Sequence, residues 1–454
     1  MENAIVSKFG GSSVANSEQI HKVFKIVESN SDRKYIVVSA PGKAKGDAEK
    51  VTDHLFNIAT DGSHFKSQRK SISAKESYDA VVSKFKIIIK DLQIDGTDIL
   101  EDLKNDLKVE LPEDKKSDFY ASRGEHYNAK VINRYFKKMG LNSKCMLPEK
   151  IGFTVSENFG NAKVLPLSYK NIKQSLDIEG IAVIPGYYGI TQKKDIAVLS
   201  RGGSDLTGGE IAYAITAATY ENWTDTDGIY ETDPRQIPEA KVIPELTYKE
   251  IRLLSSQGFN VFHYDAMINC KKTNIPINIR NTNNPDAPGT LIVAERVPQK
   301  TVVGIARLDD IAYLYLEKDM MNETMGFTND LLHIFKDYGI MTYHYPTDKD
   351  DIAILVNQND LMGVANDLKE DIEKELKPEI IDIHYNLSII SPVGIGMKDH
   401  PGVLAQAAGA FEDKNINIDI VVQGPAQISF HFGIQSYYKD EAMKALHNTF
   451  LING

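Results

Sequence analysis

The sequence predicts an α/β fold, in which helices sandwich a mainly parallel central sheet and two smaller α+β modules follow. Residues 4–9 and 35–39 are short apolar runs rich in β-branched residues, as buried strands are. The segment between them has apolar residues at helical spacing, which predicts a βαβ unit with parallel strands. The last third of the chain repeats its own pattern, which predicts the two modules.

Length and composition restrict the class of protein. A chain of 454 residues has room for about three domains, and 42% hydrophobic with 25% charged residues is typical of globular proteins. The net charge of -11 comes without a basic cluster, which argues against nucleic-acid binding. Residues 1–9 lack the pattern of a signal peptide, and no apolar run reaches the roughly 20 residues of a membrane span. Cys145 and Cys270 are too few for a disulfide framework, so we expect a cytoplasmic protein.

The N-terminal part alternates between strands and helices. The first strand ends at a glycine pair, and apolar residues then recur at helical spacing over 20–27. From about 50 to 140 the pattern is mostly helical and rich in charge. Strands return at 181–185 and 196–199, and a second glycine pair precedes a helix over about 208–219.

Turn-forming residues and two prolines are concentrated at 281–289 (NTNNPDAPG), which predicts a domain boundary just after this segment and a first domain at 1–295. Beyond it, each repeat has the order strand, glycine-started helix, strand, strand, helix, as in ferredoxin-like α+β modules. We place these modules at 301–378 and 379–454. The matching positions are Gly326 and Gly402, Phe335 and Phe411, Asp337 and Asp413, Ile340 and Ile416, and Ile352 and Ile428.

Two glycine loops follow predicted strands. The first, at 8–13 (KFGGSS), joins a strand to a helix N-terminus, where free backbone N–H groups and the helix dipole favour an anion such as phosphate. Its glycines allow the backbone to approach a ligand closely, and Lys8 adds a mobile positive charge. The loop matches neither G-x-x-x-x-G-K-[ST] nor G-x-G-x-x-G, so a plain tight turn is the alternative interpretation.

The second glycine loop, at 200–205 (SRGGSD), has the same arrangement and adds Arg201, whose planar guanidinium suits a carboxylate or a phosphate. Asp205 either caps the following helix or orients Lys8 across the site, and spacing alone leaves both roles open. Two such loops support a phosphate site more strongly than one does.

The acidic run at 223–235 is as rich in carboxylates as a calcium loop, but its spacing excludes an EF-hand. With Gly228 at the sixth position, Trp223 and Pro234 occupy the first and twelfth positions, where carboxylate ligands are required. No histidine pair has metal-ligand spacing, so we expect no protein-held metal. No serine or cysteine lies in a nucleophile elbow either, so hydrolytic or covalent chemistry has little support. Phosphoryl transfer needs neither feature, since it depends on positioning and on neutralising charge.

Four motifs resemble those of the aspartate kinases and occur in that family's order: KFGGSSV at 8–14, SRGE at 122–125, SRGGSD at 200–205 and TDTDGIYETDPR at 224–235. The duplicated tail is similar to the family's paired ACT regulatory domains, so the resemblance spans nearly the whole chain. It implies an amino-acid-kinase fold that transfers the γ-phosphoryl group of ATP to the β-carboxylate of L-aspartate, with Mg2+ held mainly by the nucleotide phosphates. The product, 4-phospho-L-aspartate, serves lysine, threonine and methionine synthesis.

The resemblance also implies roles for single residues. Lys8 would stabilise the transferring phosphoryl group, and Asp205 would organise that lysine. The acceptor carboxylate is already ionised at neutral pH, so no general base is required. Glu125, which alone would be interpreted as a solvated charge, would receive the substrate ammonium group, and Arg201 would hold a carboxylate. The nucleotide would contact Gly10, Gly11, Ser12, Thr224, Asp225, Tyr230 and Arg235, and aspartate would also contact Ser39 and Ser204.

The sequence departs from the family pattern in two places near the expected site. Asn260 stands where many members have a lysine close to the nucleotide, so Arg235 would carry more of that role. Residues 196–198 are Ile, Ala and Val where threonines are common, so hydroxyl contacts are lost there.

The two modules differ at the turn before their first helix. The second has the D-H-P-G turn expected of an ACT motif at 399–402, whereas the first lacks it, which indicates that the first diverged to bind a ligand. In lysine-sensitive relatives the effector occupies this glycine turn and the facing strand. We expect lysine here. Threonine is the alternative, because Tyr343 occupies the position where lysine-sensitive relatives are expected to have an acidic residue. The effector residues would be Met325, Gly326, Phe327, Thr328, Met341 and Thr342.

ACT modules expose sheet edges and helix faces, so we expect a homodimer or a dimer of dimers. The length and the lack of a dinucleotide fingerprint after residue 300 argue against a fused homoserine dehydrogenase. One alternative is another amino-acid kinase acting on an acylated amino acid or a nucleoside monophosphate, a substrate with no ammonium for Glu125. The other is a non-catalytic amino-acid sensor, against which the intact Lys8, Arg201 and Asp205 argue.

Overall fold

The computed structural model describes residues 3–68, 70–200, 202–256 and 264–452. The α/β class predicted from the sequence is confirmed, with a large, mostly parallel sheet and a separate antiparallel sheet. None of the helices in these ranges is both long enough and apolar enough to span a membrane.

The described residues form two compact units that do not follow the chain in simple order. Two segments of the predicted first domain group with the C-terminal modules instead. The first unit contains 3–229, 242–248 and 264–296, and the second contains 230–241, 249–256 and 297–452.

The N-terminal strands form one large sheet and one small one. They are β1 Ile5–Phe9, β2 Arg33–Val38, β3 Ser143–Cys145, β4 Ile181–Pro185, β5 Tyr188–Ile190, β6 Ile196–Val198, β7 Thr219–Thr224, β8 Glu245–Thr247, β9 Ile277–Asn281 and β10 Thr290–Val293. Eight of them pair in the order β3-β4-β2-β1-β7-β9-β10-β8, while β5 and β6 form an antiparallel pair. Neighbours in the large sheet are parallel, apart from β9 and β10.

Several helices of this part bury apolar residues in a core that they share with the sheet. Phe24, Phe85 and Phe136, from three different helices, lie in one core with Phe9 and Trp223 of the sheet. The helices are α1 Ser17–Glu28, α2 Val51–Ala59, α3 Ser63–Ser67, α4 Ala74–Asp91, α5 Thr97–Asp106, α6 Glu113–Lys138, α7 Pro148–Ile151, α8 Leu167–Ser175, α9 Gly203–Ile215, α10 Tyr248–Ser256 and α11 Ile268–Lys272.

The carboxyl ends of four neighbouring strands meet at one edge of the large sheet. Phe9, which ends β1, pairs with Val38 on one side and with Trp223 on the other, and Val38 pairs with Pro185. The residues that follow these strands therefore lie side by side, at the edge where open α/β sheets bind ligands.

The two glycine loops enter their helices in different ways. After the first loop, a single 3-10 turn at Gly11–Val14 precedes α1, whose N-terminus is capped by the Asn16 side chain. After the second loop, α9 begins at Gly203 instead of near 208. The low helix propensity of glycine hid this start, but a Cβ on Gly208 or Gly209 would overlap the packed neighbours, so glycine is required inside the helix.

The second unit contains a six-stranded antiparallel sheet. The predicted repeat is confirmed, because both copies have the order strand, helix, strand, strand, helix. Gly326 and Gly402 both have φ of 86° just before their helices, and Phe335 and Phe411 are both fully buried. The elements are β11 Gly304–Glu317, α12 Phe327–Asp337, β12 Thr342–His344, β13 Asp351–Asn357, α13 Ala365–Leu376, β14 Ile380–Val393, α14 Val403–Glu412, β15 Ile420–Gln423, β16 Phe430–Gln435 and α15 Lys439–His447. The six strands pair in the order β12-β13-β11-β14-β16-β15.

The structure divides the two modules differently from the predicted ranges 301–378 and 379–454. Residues 311–317 of β11 pair with β13 of the first module, whereas 304–308 pair with β14 residues 389–393. Val302 and Ile305 lie in the core of the second module. The first module is therefore inserted into the second, because both long strands run through the two modules.

Candidate functional site

Lys8 and Asp205 form an ion pair at the carboxyl edge of the large sheet. Lys8 lies near the end of β1 and Asp205 lies in the first turn of α9, and the distance from Lys8 Nζ to Asp205 Oδ1 is 2.5 Å. Asn222 on β7 donates from Nδ2 to the same oxygen over 2.8 Å. Helix α9 has no side-chain cap, so of the two roles left open for Asp205 the structure favours orienting Lys8. Both side chains are largely buried, which holds the ammonium in one place.

The first glycine loop is packed tightly against the chain that follows β2. Gly42 donates its N–H to Gly11 O over 2.9 Å, and a Cβ on Gly42 would lie 2.4 Å from the carbonyl carbon of Gly11. The Gly10 N–H, expected to hold phosphate, donates instead to Trp223 O over 3.0 Å. Gly10 lies beside the Lys8 ammonium group, and a Cβ on it would make an ordinary van der Waals contact, 3.4 Å from Lys8 Nζ. Ser12 is exposed at the loop surface.

The second glycine loop uses its two glycines in different ways. Gly203 leaves no room for a Cβ, which would lie 2.5 Å from Tyr187 Cδ2. Gly202 has φ of +79°, a left-handed conformation that favours glycine at the start of α9. Ser204 packs on Gly186, where a Cβ would lie 2.7 Å from Ser204 Oγ. Arg201, predicted to hold a substrate carboxylate, lies outside the described residues, as does Asn260.

Glu125 is a buried carboxylate in the middle of α6, not a solvated charge at a helix start. Burial raises its pKa to about 8, while the Ala40 backbone N–H and the positive charge of Lys8 act in the opposite direction. Within the part of the chain that the structure describes, Glu125 Oε2 has no hydrogen-bond partner. The site therefore contains a buried acceptor that a cation would satisfy.

Ser39 follows β2 and lies beside the end of β1. Its N–H donates to Phe9 O over 3.1 Å, and its carbonyl accepts from Asn128 Nδ2 over 2.7 Å. The structure therefore brings Lys8, Ser39 and Asp205 to the same edge of the sheet.

The predicted nucleotide contacts are divided between the two units. Thr224 ends β7 and Asp225 follows it in the first unit, where Thr224 Oγ1 donates to Asp225 Oδ1 over 3.1 Å. Tyr230 and Arg235 belong to the second unit. The Arg235 side chain is 89% exposed and pairs with Asp233 over 2.7 Å.

The segment 230–241 belongs to the second unit because it packs on the second module. Ile237 is buried in that module's core, and Ile305 donates its N–H to Glu231 O over 2.7 Å. Lys300 Nζ lies 3.2 Å from Glu231 Oε1. Sequence reasoning missed this placement, since residues 230–235 belong to a motif of the catalytic domain.

The predicted effector residues surround the start of α12 and the edge strand β12. Met325 and Met341 are 99% and 75% exposed, and Gly326 begins the helix in a left-handed conformation. Thr328 and Thr342 are also accessible. Phe327 differs from the prediction, because its side chain is buried in the core of the first module and leaves its backbone alone to contact a ligand.

Two asparagines of the site had no motif to reveal them. Asn222 lies in a strand whose sequence matches none of the four motifs, and Asn128 lies just beyond SRGE. The spacing from Glu125 to Asn128 was the available signal, because residues three apart share a helix face. Among the described residues, no group of three or more His, Cys, Asp or Glu side chains is placed to hold a metal ion.

Comparisons with protein families agree with this architecture. Residues 3–281 match the model of the Amino acid kinase family, and residues 390–450 match an ACT domain. Aspartokinase 3 of Bacillus subtilis is 36% identical over 452 residues, which cover 98% of each chain. Bifunctional aspartokinase/homoserine dehydrogenase 2 of Arabidopsis thaliana is 29% identical over 485 residues, and the chain spans about half of its length, 51%.

Solved structures share the fold over almost the whole chain. The aspartate kinase of Clostridium acetobutylicum has a TM-score of 0.87 at 33% identity, covering 98% of this chain and 100% of that one. E. coli aspartokinase III in complex with lysine and aspartate has a TM-score of 0.75 at 21% identity, which is a likeness of fold, and covers 99% of each chain. The chain therefore belongs to the amino acid kinase family and, within it, to the aspartokinases that carry ACT domains.

Proposed function

We propose that this protein phosphorylates the β-carboxylate of L-aspartate with ATP and releases 4-phospho-L-aspartate and ADP. The proposal is carried by one observation, the ion pair of Lys8 and Asp205 with the buried carboxylate of Glu125 nearby. Such a site complements a free amino acid, which has an ammonium group as well as carboxylates. The similarity to Aspartokinase 3 of Bacillus subtilis supports the same substrate.

In the proposed reaction, a β-carboxylate oxygen attacks the γ-phosphorus while the bond to the bridging oxygen of ADP breaks. The attacking carboxylate is already ionised, so no residue has to remove a proton. Lys8 neutralises charge on the transferring group, and Asp205 with Asn222 keeps its ammonium in position. Mg2+ held mainly by the nucleotide phosphates would supply further charge neutralisation when bound.

Glu125 provides the selection for a free amino acid. Its carboxylate would accept hydrogen bonds from the α-ammonium group, and Arg201 would hold a substrate carboxylate. An acylated amino acid has no ammonium and would leave Glu125 buried without a partner, which costs binding free energy. This difference disfavours the alternative kinases.

Regulation is proposed to occur at the first module. Lysine would bind at the glycine turn before α12 and the facing strand β12, with threonine as the alternative. The reaction product, 4-phospho-L-aspartate, would enter lysine, threonine and methionine synthesis. The exposed edge of β12 and the exposed Met325 and Met341 support pairing between ACT modules in a homodimer or a dimer of dimers.

Acyl-phosphate trapping tests the proposal. Purified protein is incubated with ATP, Mg2+ and hydroxylamine, with either L-aspartate or N-acetylglutamate, and each mixture is repeated with lysine or threonine. We expect hydroxamate from aspartate alone, and suppression by lysine. Hydroxamate formed only with N-acetylglutamate would show that the substrate is an acylated amino acid and not aspartate. Nucleotide binding without any hydroxamate would indicate a non-catalytic sensor. Suppression by threonine alone would overturn the choice of lysine.

A further inference from the structure

Asn128 is a buried polar residue at the site to which no motif assigns a role. It lies on α6, three residues after Glu125, and its side chain is 0% exposed. Its Nδ2 donates to Ser39 O over 2.7 Å. The orientation of the amide follows from this contact, because a carbonyl accepts and the NH2 group must therefore face it.

The oxygen of the same amide, Oδ1, makes no comparable contact with the described residues. Asn128 Oδ1 is buried and, within the described ranges, has no hydrogen-bond partner, and the same is true of Glu125 Oε2. A buried acceptor without a donor costs free energy, so a ligand that donates to both atoms would recover part of that cost.

The side chains of Glu125 and Asn128 both lie against the same stretch of backbone. Residues three apart lie on one face of a helix, and this face of α6 is pressed against Ser39 and Ala40. A Cβ on Gly124 would lie 2.6 Å from the Cβ of Ala40, and the Ala40 N–H hydrogen-bonds the Glu125 carboxylate. Glu125 and Asn128 thus flank the end of β2, close to Lys8, whose charge acts on Glu125.

We propose that Asn128 is a specificity residue that accepts, through Oδ1, a second hydrogen bond from the α-ammonium group bound by Glu125. An ammonium group has three donors and no acceptor, so two empty acceptors on one helix face match it better than a single carboxylate does. The neutral amide adds a hydrogen bond without adding a second negative charge to the buried site. The inference rests on the proposed function and extends it to a residue outside the four motifs.

The test compares aspartate with succinate, which has the same two carboxylates but no ammonium. The dissociation constants of both are measured on the full-length protein by calorimetry, for the wild type and for Asn128→Ala. We expect the aspartate constant to rise about tenfold, while the succinate constant stays within twofold. The KM for ATP is expected to stay unchanged.

Asn133→Ala is the matched control, since Asn133 lies on the same helix and its Oδ1 is also buried without a partner among the described residues. This variant should bind both ligands as the wild type does. Asn128→Leu, which fills the side-chain volume, serves if the alanine variant is unstable. The ratio of the two constants is taken within one preparation, so partial unfolding does not change it.

The outcomes separate this inference from the proposed function. If the wild type binds no aspartate and forms no hydroxamate, the proposed function fails. If the wild type is active but Asn128→Ala weakens aspartate and succinate equally, Asn128 only positions Ser39 and the inference is wrong. Unchanged binding of both ligands would also overturn it, whereas selective loss of aspartate would support it.

Discussion

The two glycine loops of the first unit have almost the same sequence but use it differently. In the first, Gly11 is packed against Gly42, and Gly10 has an ordinary φ of -68°. In the second, Gly202 has the left-handed φ of +79° and α9 begins at once. The first loop needs glycine for close packing alone. The second needs it for backbone conformation at Gly202 and for close packing at Gly203, where a Cβ would lie 2.5 Å from the Tyr187 ring. Lys8 precedes the glycine pair of the first loop, Asp205 follows the pair of the second, and these two charges form the Lys8–Asp205 ion pair.

The largest effect is expected where the two loops meet. Lys8→Met should lower kcat about 100- to 1,000-fold, because it removes the positive charge that faces the transferring group. Steady-state assays with aspartate and ATP measure this change. Lys22→Met is the control, since Lys22 forms an exposed pair with Glu18 on α1 and should not affect kcat. A Lys8→Met enzyme within tenfold of the wild type would contradict a catalytic role.

A substitution at Gly42 tests the packing of the first loop. A Cβ there would meet backbone atoms of Gly11, so the loop has to move, and we expect Gly42→Ala to lower kcat/KM for ATP about 10- to 100-fold. Gly409→Ala in α14 is the control, because nothing lies within 4 Å of its Cβ position, and it should retain full activity. Wild-type kinetics for Gly42→Ala would show that this contact does not position the loop.

The carboxylate beside the first loop predicts a pH dependence. Burial raises the pKa of Glu125 to about 8, so this carboxyl group is mostly protonated at neutral pH when no substrate is bound. Binding an ammonium group requires its ionised form. The KM for aspartate should fall as the pH rises toward 8, by up to about tenfold per unit. Because the folded pKa lies above the ordinary value, the stability that this proton contributes is present at low pH and lost as the pH rises through about 8.

Glu125→Gln separates this group from other titrating groups. The variant should have a higher KM for aspartate and no rise of stability at low pH from this position. A KM that keeps the wild-type pH profile in Glu125→Gln would assign the titration to another group.

The smallest effect is expected at the second loop. Gly202→Ala places a Cβ in a left-handed conformation, so the free energy of unfolding should fall by about 1 kcal/mol, with kcat near the wild-type value. Denaturant unfolding measures it, and Gly202→Asn should recover part of the loss, because asparagine tolerates this conformation. If Gly202→Ala lowered kcat as much as Gly42→Ala, the distinction between the loops would be wrong.

The sequence predicted the fold class, the repeat and the grouping of Lys8 with Asp205, because these depend on apolar spacing and on motifs. It left the role of Asp205 open, since a helix cap and a partner for Lys8 need the same residue at the same position. The start of α9 was hidden because glycine has a low helix propensity, and the close packing that requires Gly208 and Gly209 is a tertiary property.

Other features could not be predicted from the sequence, because they depend on contacts between residues that are far apart in the chain. The placement of 230–241 depends on where Ile237 is buried, and the module boundaries depend on two strands that serve two cores. Asn128 and Asn222 act through single hydrogen bonds that no spacing rule marks. Arg201 and Asn260 lie outside the described residues, so their roles stay predictions.

The two long strands β11 and β14 have a consequence for how the second unit unfolds. The chain enters and leaves the first module at neighbouring positions, where Asp310 and Asn386 both have positive φ and the pairing of the strands is irregular. Each strand contributes residues to the cores of both modules, so neither core can open without removing part of the other's sheet. The modules should therefore lose their structure in one cooperative transition, although the sequence presents them as two copies in tandem.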